Sequence, residues 1–156
     1  MKAAIVTVIL KARVRASLCL LLAGACWPAV QALELVSAEE AARPEAELSL
    51  TRGVTRGPSI TQELPAPGKG PVRAPLQLKV AVKARGGARI DLGSLQLTYL
   101  KSPMVDLTPR LRAGISETGV AVDGLSLPPG QHRIQLRVAD SEGRETETML
   151  QLDVAP

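Results

Sequence analysis

The side chain with the widest chemical repertoire in this sequence is its single histidine, His132. A nucleophilic triad needs a nucleophile, a base and an orienting acid, and His132 could act as the base for Ser126 or Ser141. No Gly-x-Ser-x-Gly elbow or comparable nucleophile motif accompanies these residues. We expect His132, just after a turn, to form a hydrogen bond to that turn or to lie half exposed. The sequence therefore predicts no catalytic residues, and a hydrolase is the least favoured function.

Two turns carry carboxylates that could bind a cation. Asp140, Ser141 and Glu142 are consecutive, and Asp123 lies in another turn. Calcium takes about six to eight oxygen ligands, so three residues of one loop fall short of a full shell. Turn chemistry, in which the Asp side chain accepts backbone hydrogen bonds, explains the same residues. We expect neither metal ligands nor a cofactor, and a calcium- or small-ligand-binding domain is the alternative function.

The segment 106–112 (DLTPRLR) combines a carboxylate, a hydroxyl and two guanidinium groups. Guanidinium groups bind carboxylates and phosphates through two parallel hydrogen bonds, so this loop-like stretch could bind an anionic partner. A local ion pair of Asp106 with Arg110 or with Arg112, which would fix a bend, is the favoured interpretation because charge pairs are common on protein surfaces.

The first 32 residues have the pattern of a signal peptide. The basic residues of this leader are Lys2, Lys11, Arg13 and Arg15. The apolar stretch 16–25 (ASLCLLLAGA) follows, and it is too short to span a membrane. Val30 and Ala32 are small residues at the −3 and −1 positions, which predicts cleavage after Ala32. Two alternatives stay open: an uncleaved N-terminal anchor, and lipidation of Cys26, which follows a shifted lipoprotein box.

Removing the leader changes the charge and the cysteine content. The whole chain has 19 basic and 15 acidic residues, and residues 1–32 hold four basic and no acidic ones. The remainder therefore has 15 of each, and the basicity that nucleic-acid binding needs is gone. Cys19 and Cys26 both lie in the leader, so the mature chain is expected to have no disulfide, no thiol nucleophile and no cysteine metal site.

Residues 33–57 read as an N-terminal arm and linker. Ser37 and Glu40 have the spacing of a helix capping box, and Pro44 would end such a helix. A flexible acidic arm is an equally supported interpretation of this segment.

From residue 58 onward the sequence alternates with the two-residue period of half-buried strands. Gly93-Ser94 predicts a bulge or a short break, and Asp123-Gly124 separates two short pieces. Asp140–Gly143 fits a turn between two strands whose outer faces carry opposite charges. The residues predicted to face the core are Leu76, Leu78, Val80, Val82, Ala84, Ile90, Leu92, Leu95, Leu97, Tyr99, Val120, Val122, Leu125, Leu127, Ile134, Leu136, Val138, Thr148, Leu150, Leu152 and Val154. About seven short strands with regular turn signals predict an antiparallel sandwich or barrel.

Residues 127–144 (LPPGQHRIQLRVADSEGR) resemble the last two strands of bacterial immunoglobulin-like domains, and residues 90–99 (IDLGSLQLTY) are similar to the segment before the middle strands of such domains. The resemblance covers residues 58–156 and implies an all-β, antiparallel Ig-like β-sandwich. The core disulfide of antibody-type domains is absent and no tryptophan remains after the leader, so the core is expected to be aliphatic around Tyr99. Domains of this family serve adhesion, spacing, polysaccharide binding and scaffolding, so the resemblance selects no single function.

These observations together predict an exported bacterial protein with a signal peptide at 1–32, an arm or short helix and linker at 33–57, and an Ig-like domain at 58–156. We expect a periplasmic or secreted, non-enzymatic binding or scaffolding module of the cell envelope. Its partner would be a protein or another envelope component, bound through edge strands, with membrane contact only if the leader is retained or Cys26 is lipidated. Arg133 and Arg137 face outward on a late strand, either to contact an acidic surface or to aid solubility.

Overall fold

The computed structural model describes residues 32–47 and 56–156. The predicted signal peptide lies outside the described residues except for Ala32, and so do Cys19, Cys26 and residues 48–55 of the predicted arm and linker. None of the helices in the described part of the chain is long and apolar enough to cross a membrane.

Strands dominate the described part of the chain, with short helical turns between them. The strands are β1 (Leu33–Glu34), β2 (Ser59–Leu64), β3 (Leu76–Lys83), β4 (Ile90–Tyr99), β5 (Val105–Asp106), β6 (Ile115–Ser116), β7 (Gly119–Ser126), β8 (Gly130–Asp140) and β9 (Glu145–Val154). The helices are α1 (Ala38–Ala42) and α2 (Thr108–Leu111), the latter followed by a 3₁₀ turn at Arg112–Gly114.

The strands form two sheets that enclose one core. The first sheet has the order β1-β7-β3-β2, with β6 also paired to β7, and the second has the order β5-β4-β8-β9. Each pairing is antiparallel except that of β1 with β7. The predicted all-β class and β-sandwich architecture are confirmed.

The core between the sheets is aliphatic, as predicted. Along β3 the burial alternates strictly, because Leu76, Leu78, Val80 and Val82 face inward while the intervening residues face solvent. Tyr99, at the end of β4, is fully buried among Leu, Val and Ile side chains of both sheets. Removing each large side chain from water stabilises the fold by about 1.5–3 kcal/mol before the entropy cost of ordering it.

The prediction that Asp123-Gly124 divides two short strands is wrong. β7 runs through both residues, and its pairing with β3 steps from Leu78–Val122 to Leu76–Leu125. Two residues of β7 therefore oppose one of β3, which is a bulge, and Gly124 adopts a φ of 70° there. The irregularity predicted at Gly93-Ser94 is confirmed, because residues 92–95 of β4 oppose the single residue Val138 of β8.

The N-terminal segment is ordered over residues 33–47. The capping box is confirmed: the Ser37 hydroxyl accepts from the Glu40 N–H at 3.2 Å, and the Glu40 carboxylate accepts from the Ser37 N–H at 2.9 Å. Leu35 and Val36 are fully buried in the core. This segment is thus part of the sandwich rather than a flexible arm.

Candidate functional site

His132 lies at the start of β8 and is 2% exposed. Its Nε2 lies 2.8 Å from the carbonyl oxygen of Pro128, and its Nδ1 lies 2.9 Å from the Tyr99 hydroxyl. A carbonyl oxygen only accepts, so Nε2 carries the hydrogen, and in the neutral ring the Tyr99 hydroxyl donates to Nδ1. The predicted hydrogen bond between His132 and its turn is confirmed, whereas the half-exposed position is wrong.

The two serines considered as nucleophiles lie apart from this pair. Ser126 ends β7, where its carbonyl accepts from the Leu35 N–H at 3.0 Å. The Ser141 hydroxyl accepts from the Arg89 N–H at 3.2 Å. Both ring nitrogens of His132 thus have structural partners, and the structure does not bring His132 together with Ser126 or Ser141.

Tyr99 is the other half of this buried polar pair. Burial raises the pKa of its phenol, and the negative charges of Glu45 and Glu40 raise this pKa further. The neutral phenol is therefore the favoured form, which is the form that can donate to His132.

Asp140 closes the turn between β8 and β9, and its carboxylate is surrounded by donors. Oδ1 accepts from the N–H groups of Glu142 and Arg144 at 3.0 and 3.1 Å, and Oδ2 accepts from Arg144 Nε at 2.8 Å. Burial would raise the pKa of this carboxyl, but the hydrogen bonds from Arg144 and Glu142 outweigh burial and lower it. The predicted turn chemistry is confirmed.

The candidate calcium ligands do not converge. Glu142 forms an ion pair with Arg144 at 3.0 Å, and Asp123 sits in the bulge of β7. Within residues 32–47 and 56–156, no group of three or more His, Cys, Asp or Glu side chains is arranged to hold a metal ion.

The predicted ion pair of Asp106 with Arg110 or Arg112 is wrong. Arg110 instead forms two hydrogen bonds with Glu40, at 2.8 and 2.7 Å, and a third with the carbonyl oxygen of Leu35 at 2.7 Å. Asp106 instead accepts from the N–H of Thr108 at 2.9 Å, and Thr108 is the first residue of α2, where a loop was expected. Arg110 is therefore occupied within the fold and is not free to bind an anionic partner.

Glu40 is a buried carboxylate that sequence reasoning assigned only to a capping box. The hydrogen bonds from Arg110 lower the pKa of the Glu40 carboxyl from 4.5 to about 2, although burial opposes this effect. No local signal could have indicated the pair, because Glu40 and Arg110 are 70 positions apart. The pair fastens the N-terminal segment to α2.

Arg133 and Arg137 are both engaged in surface ion pairs. Arg133 lies 3.2 Å from a carboxylate oxygen of Glu45. Arg137 pairs with Glu145 and lies 3.5 Å from Glu147, its register neighbour on β9. The predicted opposite-charge pairing across the hairpin is confirmed, and it leaves these two arginines with intramolecular partners.

A groove of about 650 Å³ lies along the outer face of the first sheet. Its floor includes Ala81 and Ala121, which project outward from β3 and β7, together with Gly119. Gly119 directly opposes Ala81 in the register. The small side chains of Ala81 and Ala121 leave a depression that longer ones would fill.

Charged side chains border this groove. Lys79 forms an ion pair with Glu63 at 2.8 Å, and this contact raises the pKa of the lysine. Lys83 and Arg89 also line the groove, and neither has an ion-pair partner among the residues that the structure describes. The alternation along β3 turns Lys79 and Lys83 outward, and the fold places Arg89 beside them.

These features define a two-sheet β-sandwich with a cationic groove on one outer face. The chain matches no protein-family model, no curated protein and no solved structure.

Proposed function

We propose that this chain is an exported, non-enzymatic binding module of the bacterial cell envelope, built on an Ig-like sandwich. The groove on the first sheet is the observation that carries the binding role, because it combines a floor of small residues with unpaired cations. A concave surface with a few polar groups of fixed position is the usual form of a binding site.

The strand order supports the Ig-like part of the proposal. In chain order, β2, β3, β4, β7, β8 and β9 take the places of strands A, B, C, E, F and G. An Ig sandwich puts A, B and E in one sheet and C, F and G in the other. The same division separates β2, β3 and β7 from β4, β8 and β9.

The structural roles of the titratable groups support a non-enzymatic role. The side-chain hydrogen bonds of His132 and Glu40 join one structural element to another, and those of Asp140 close the turn between β8 and β9. The lowered pKa values of Glu40 and Asp140 arise from contacts within the fold, as they do in structural ion-pair networks.

The position of β1 supports export with cleavage after Ala32. Leu33, the residue after the predicted cut, already pairs with Leu125 of β7. A mature chain starting at Leu33 keeps this pairing and every strand and helix that the structure describes.

Export is tested by expressing the chain with a C-terminal tag in a bacterial host and determining the mass of its N-terminus in each cell fraction. A protein outside the cytoplasm that begins at Leu33 is the expected result. An acylated Cys26 or an intact Met1 outside the cytoplasm would replace cleavage after Ala32 by lipidation or anchoring. Retention of the intact chain in the cytoplasm would contradict export.

Binding is tested by passing envelope extracts over the immobilised protein and over an unrelated β-sandwich of similar charge. We expect at least one envelope component to be retained by this protein and not by the control. Equal retention on both supports would contradict the binding role.

A further inference from the structure

We propose that the groove on the first sheet binds an extended, acidic segment of a partner protein, an inference that rests on the proposed binding function and names its site and the chemistry of its partner. Six described residues carry the argument: Ala81, Lys83, Arg89, Glu117, Gly119 and Ala121.

The floor of the groove favours an extended peptide. Ala81 and Ala121 project from neighbouring strands, and Gly119, which opposes Ala81, adds no side chain. A peptide backbone can approach such a surface closely. An extended chain turns alternate side chains to opposite sides, so one set would reach the charged border of the groove.

The border favours acidic side chains. Lys79 and Glu63 neutralise each other at 2.8 Å, which leaves Lys83 and Arg89 against the single carboxylate of Glu117. This excess of positive charge is small and local. It suits a few carboxylates better than a polyphosphate or nucleic acid, whose affinity depends on many phosphate contacts.

The backbone that carries Arg89 is held in place before any partner binds. The Arg89 N–H donates to the Ser141 hydroxyl at 3.2 Å, and the Ser141 N–H donates to the Arg89 carbonyl at 2.8 Å. Arg144, which is held by the buried Asp140, donates to the Arg85 carbonyl at 3.1 Å. A preorganised loop loses less entropy on binding, which raises affinity.

Other occupants fit this surface less well. Carbohydrate sites commonly use aromatic platforms, and Tyr99, the single tyrosine of the chain, is fully buried in the core. A second copy of this chain would have to present a free acidic strand, whereas the carboxylates of Glu145 and Glu147 on β9 already pair with Arg137.

The test uses the expressed protein, isotopically labelled for NMR, and an alternating Glu-Ala peptide of about ten residues, which spans about 33 Å when extended. We expect chemical-shift changes that centre on Ala81, Arg89 and Ala121. They should weaken as salt rises from about 0.05 to 0.5 M. An alternating Gln-Ala peptide of equal length is the charge control.

Two charge-reversal variants locate the site. Lys83→Glu with Arg89→Glu should weaken peptide binding roughly tenfold or more, because both unpaired cations become repulsive. Lys69→Glu with Arg73→Glu makes the same change in net charge at exposed positions outside the groove, and it should leave affinity within about twofold. Ala121→Gln, which fills the floor without changing charge, should also weaken binding.

Several results would overturn the inference. The first two are an equal loss of affinity in the two double variants and no binding of the Glu-Ala peptide. The others are tighter binding of polyphosphate at the same residues, and chemical-shift changes in the groove that depend on protein concentration alone. If the Lys83→Glu, Arg89→Glu variant still retains the same envelope component as the wild type, the binding function stands, but the groove is not the binding site. If the wild type retains none, the binding function itself fails.

Discussion

At the scale of single residues, Glu40 shows how one buried carboxylate ties a chain terminus to a sandwich. It accepts from Ser37 within its own helix and from both terminal nitrogens of Arg110 across the fold. Such charge-assisted pairs are stronger than neutral hydrogen bonds because the charge itself contributes. The pair is also the main reason why the pKa of Glu40 lies at about 2.

The first prediction concerns Glu40→Gln, which keeps the shape of the side chain and removes its charge. A carboxyl whose pKa is lowered by folding adds stability above its unfolded pKa of 4.5 and loses this contribution as pH falls toward about 2. We expect Glu40→Gln to lower the free energy of unfolding by about 2 kcal/mol at pH 7 and the difference from wild type to shrink below pH 4.5. Urea unfolding of both proteins at pH 7 and at a pH below 4.5 measures this difference in the free energy of unfolding.

Glu39→Gln is the matched control, since Glu39 is the exposed neighbour in the same turn of α1. It should change the free energy of unfolding by less than about 0.5 kcal/mol at either pH. A Glu40→Gln penalty that persists unchanged near pH 2 would show that packing, rather than charge, accounts for the role of Glu40.

Tyr99 gives a second prediction at this scale, because it is the only tyrosine and its ionisation can be followed by absorbance. A phenol whose pKa is raised by folding contributes stability that is present below its unfolded pKa of about 10 and is lost as pH rises through the folded pKa. We expect tyrosinate absorbance to appear at higher pH in the folded protein than in urea. Titration at the same pH in both states would contradict the buried contact with His132, and Tyr99→Phe supplies the baseline.

At the scale of elements, local patterns predicted most strands, and contacts between distant residues determined the rest. β3, β8 and β9 could be predicted because each exposes one face to solvent, so apolar and polar residues alternate. β7 was divided in error because Asp123-Gly124 has the composition of a turn, and a glycine with positive φ serves a bulge equally well. The partner of Arg110 and the groove that includes Arg89 could not be predicted, since both depend on strand order.

The pairing of β3 with β7 gives the third prediction. Gly119 has a φ of 131°, and a Cβ there would lie 2.0 Å from the Val80 carbonyl oxygen. Gly119→Ala must therefore separate β3 and β7, the two central strands of the first sheet. We expect it to lower the free energy of unfolding by roughly 3 kcal/mol or more. Thermal and urea unfolding measure the change.

Gly124→Ala separates backbone strain from this close approach. Gly124 also has a positive φ, of 70°, but a Cβ there would meet nothing within 4 Å. Gly124→Ala should lower the free energy of unfolding by about 1–2 kcal/mol, which is the cost of an L-residue in a left-handed conformation. Equal losses in both variants would contradict the role assigned to the contact between Gly119 and Val80.

At the scale of the whole molecule, two groups of described charges have different roles. Those of Glu40, Arg110, Asp140 and Arg144 join the N-terminal segment and the turns to the sheets. Those of Lys83 and Arg89 face solvent beside the groove. The first group makes the sandwich rigid, and the second is available to a partner, so one fold supplies both a stable frame and a charged surface.

The last prediction tests whether the N-terminal segment is part of the folding unit. A protein beginning at Leu33 keeps β1, the buried Leu35 and Val36, and the Glu40–Arg110 pair. One beginning at Glu45 loses all of them, including two side chains whose burial is worth about 1.5–3 kcal/mol each. It also leaves the guanidinium of Arg110 without its carboxylate and uncovers the edge of β7.

We expect the protein beginning at Leu33 to match the intact chain in urea unfolding. The shorter protein should lose roughly 3 kcal/mol or more of its free energy of unfolding, or aggregate through the exposed strand edge. Equal stability of the two truncated proteins would mean that residues 33–44 only rest on a sandwich that is complete without them.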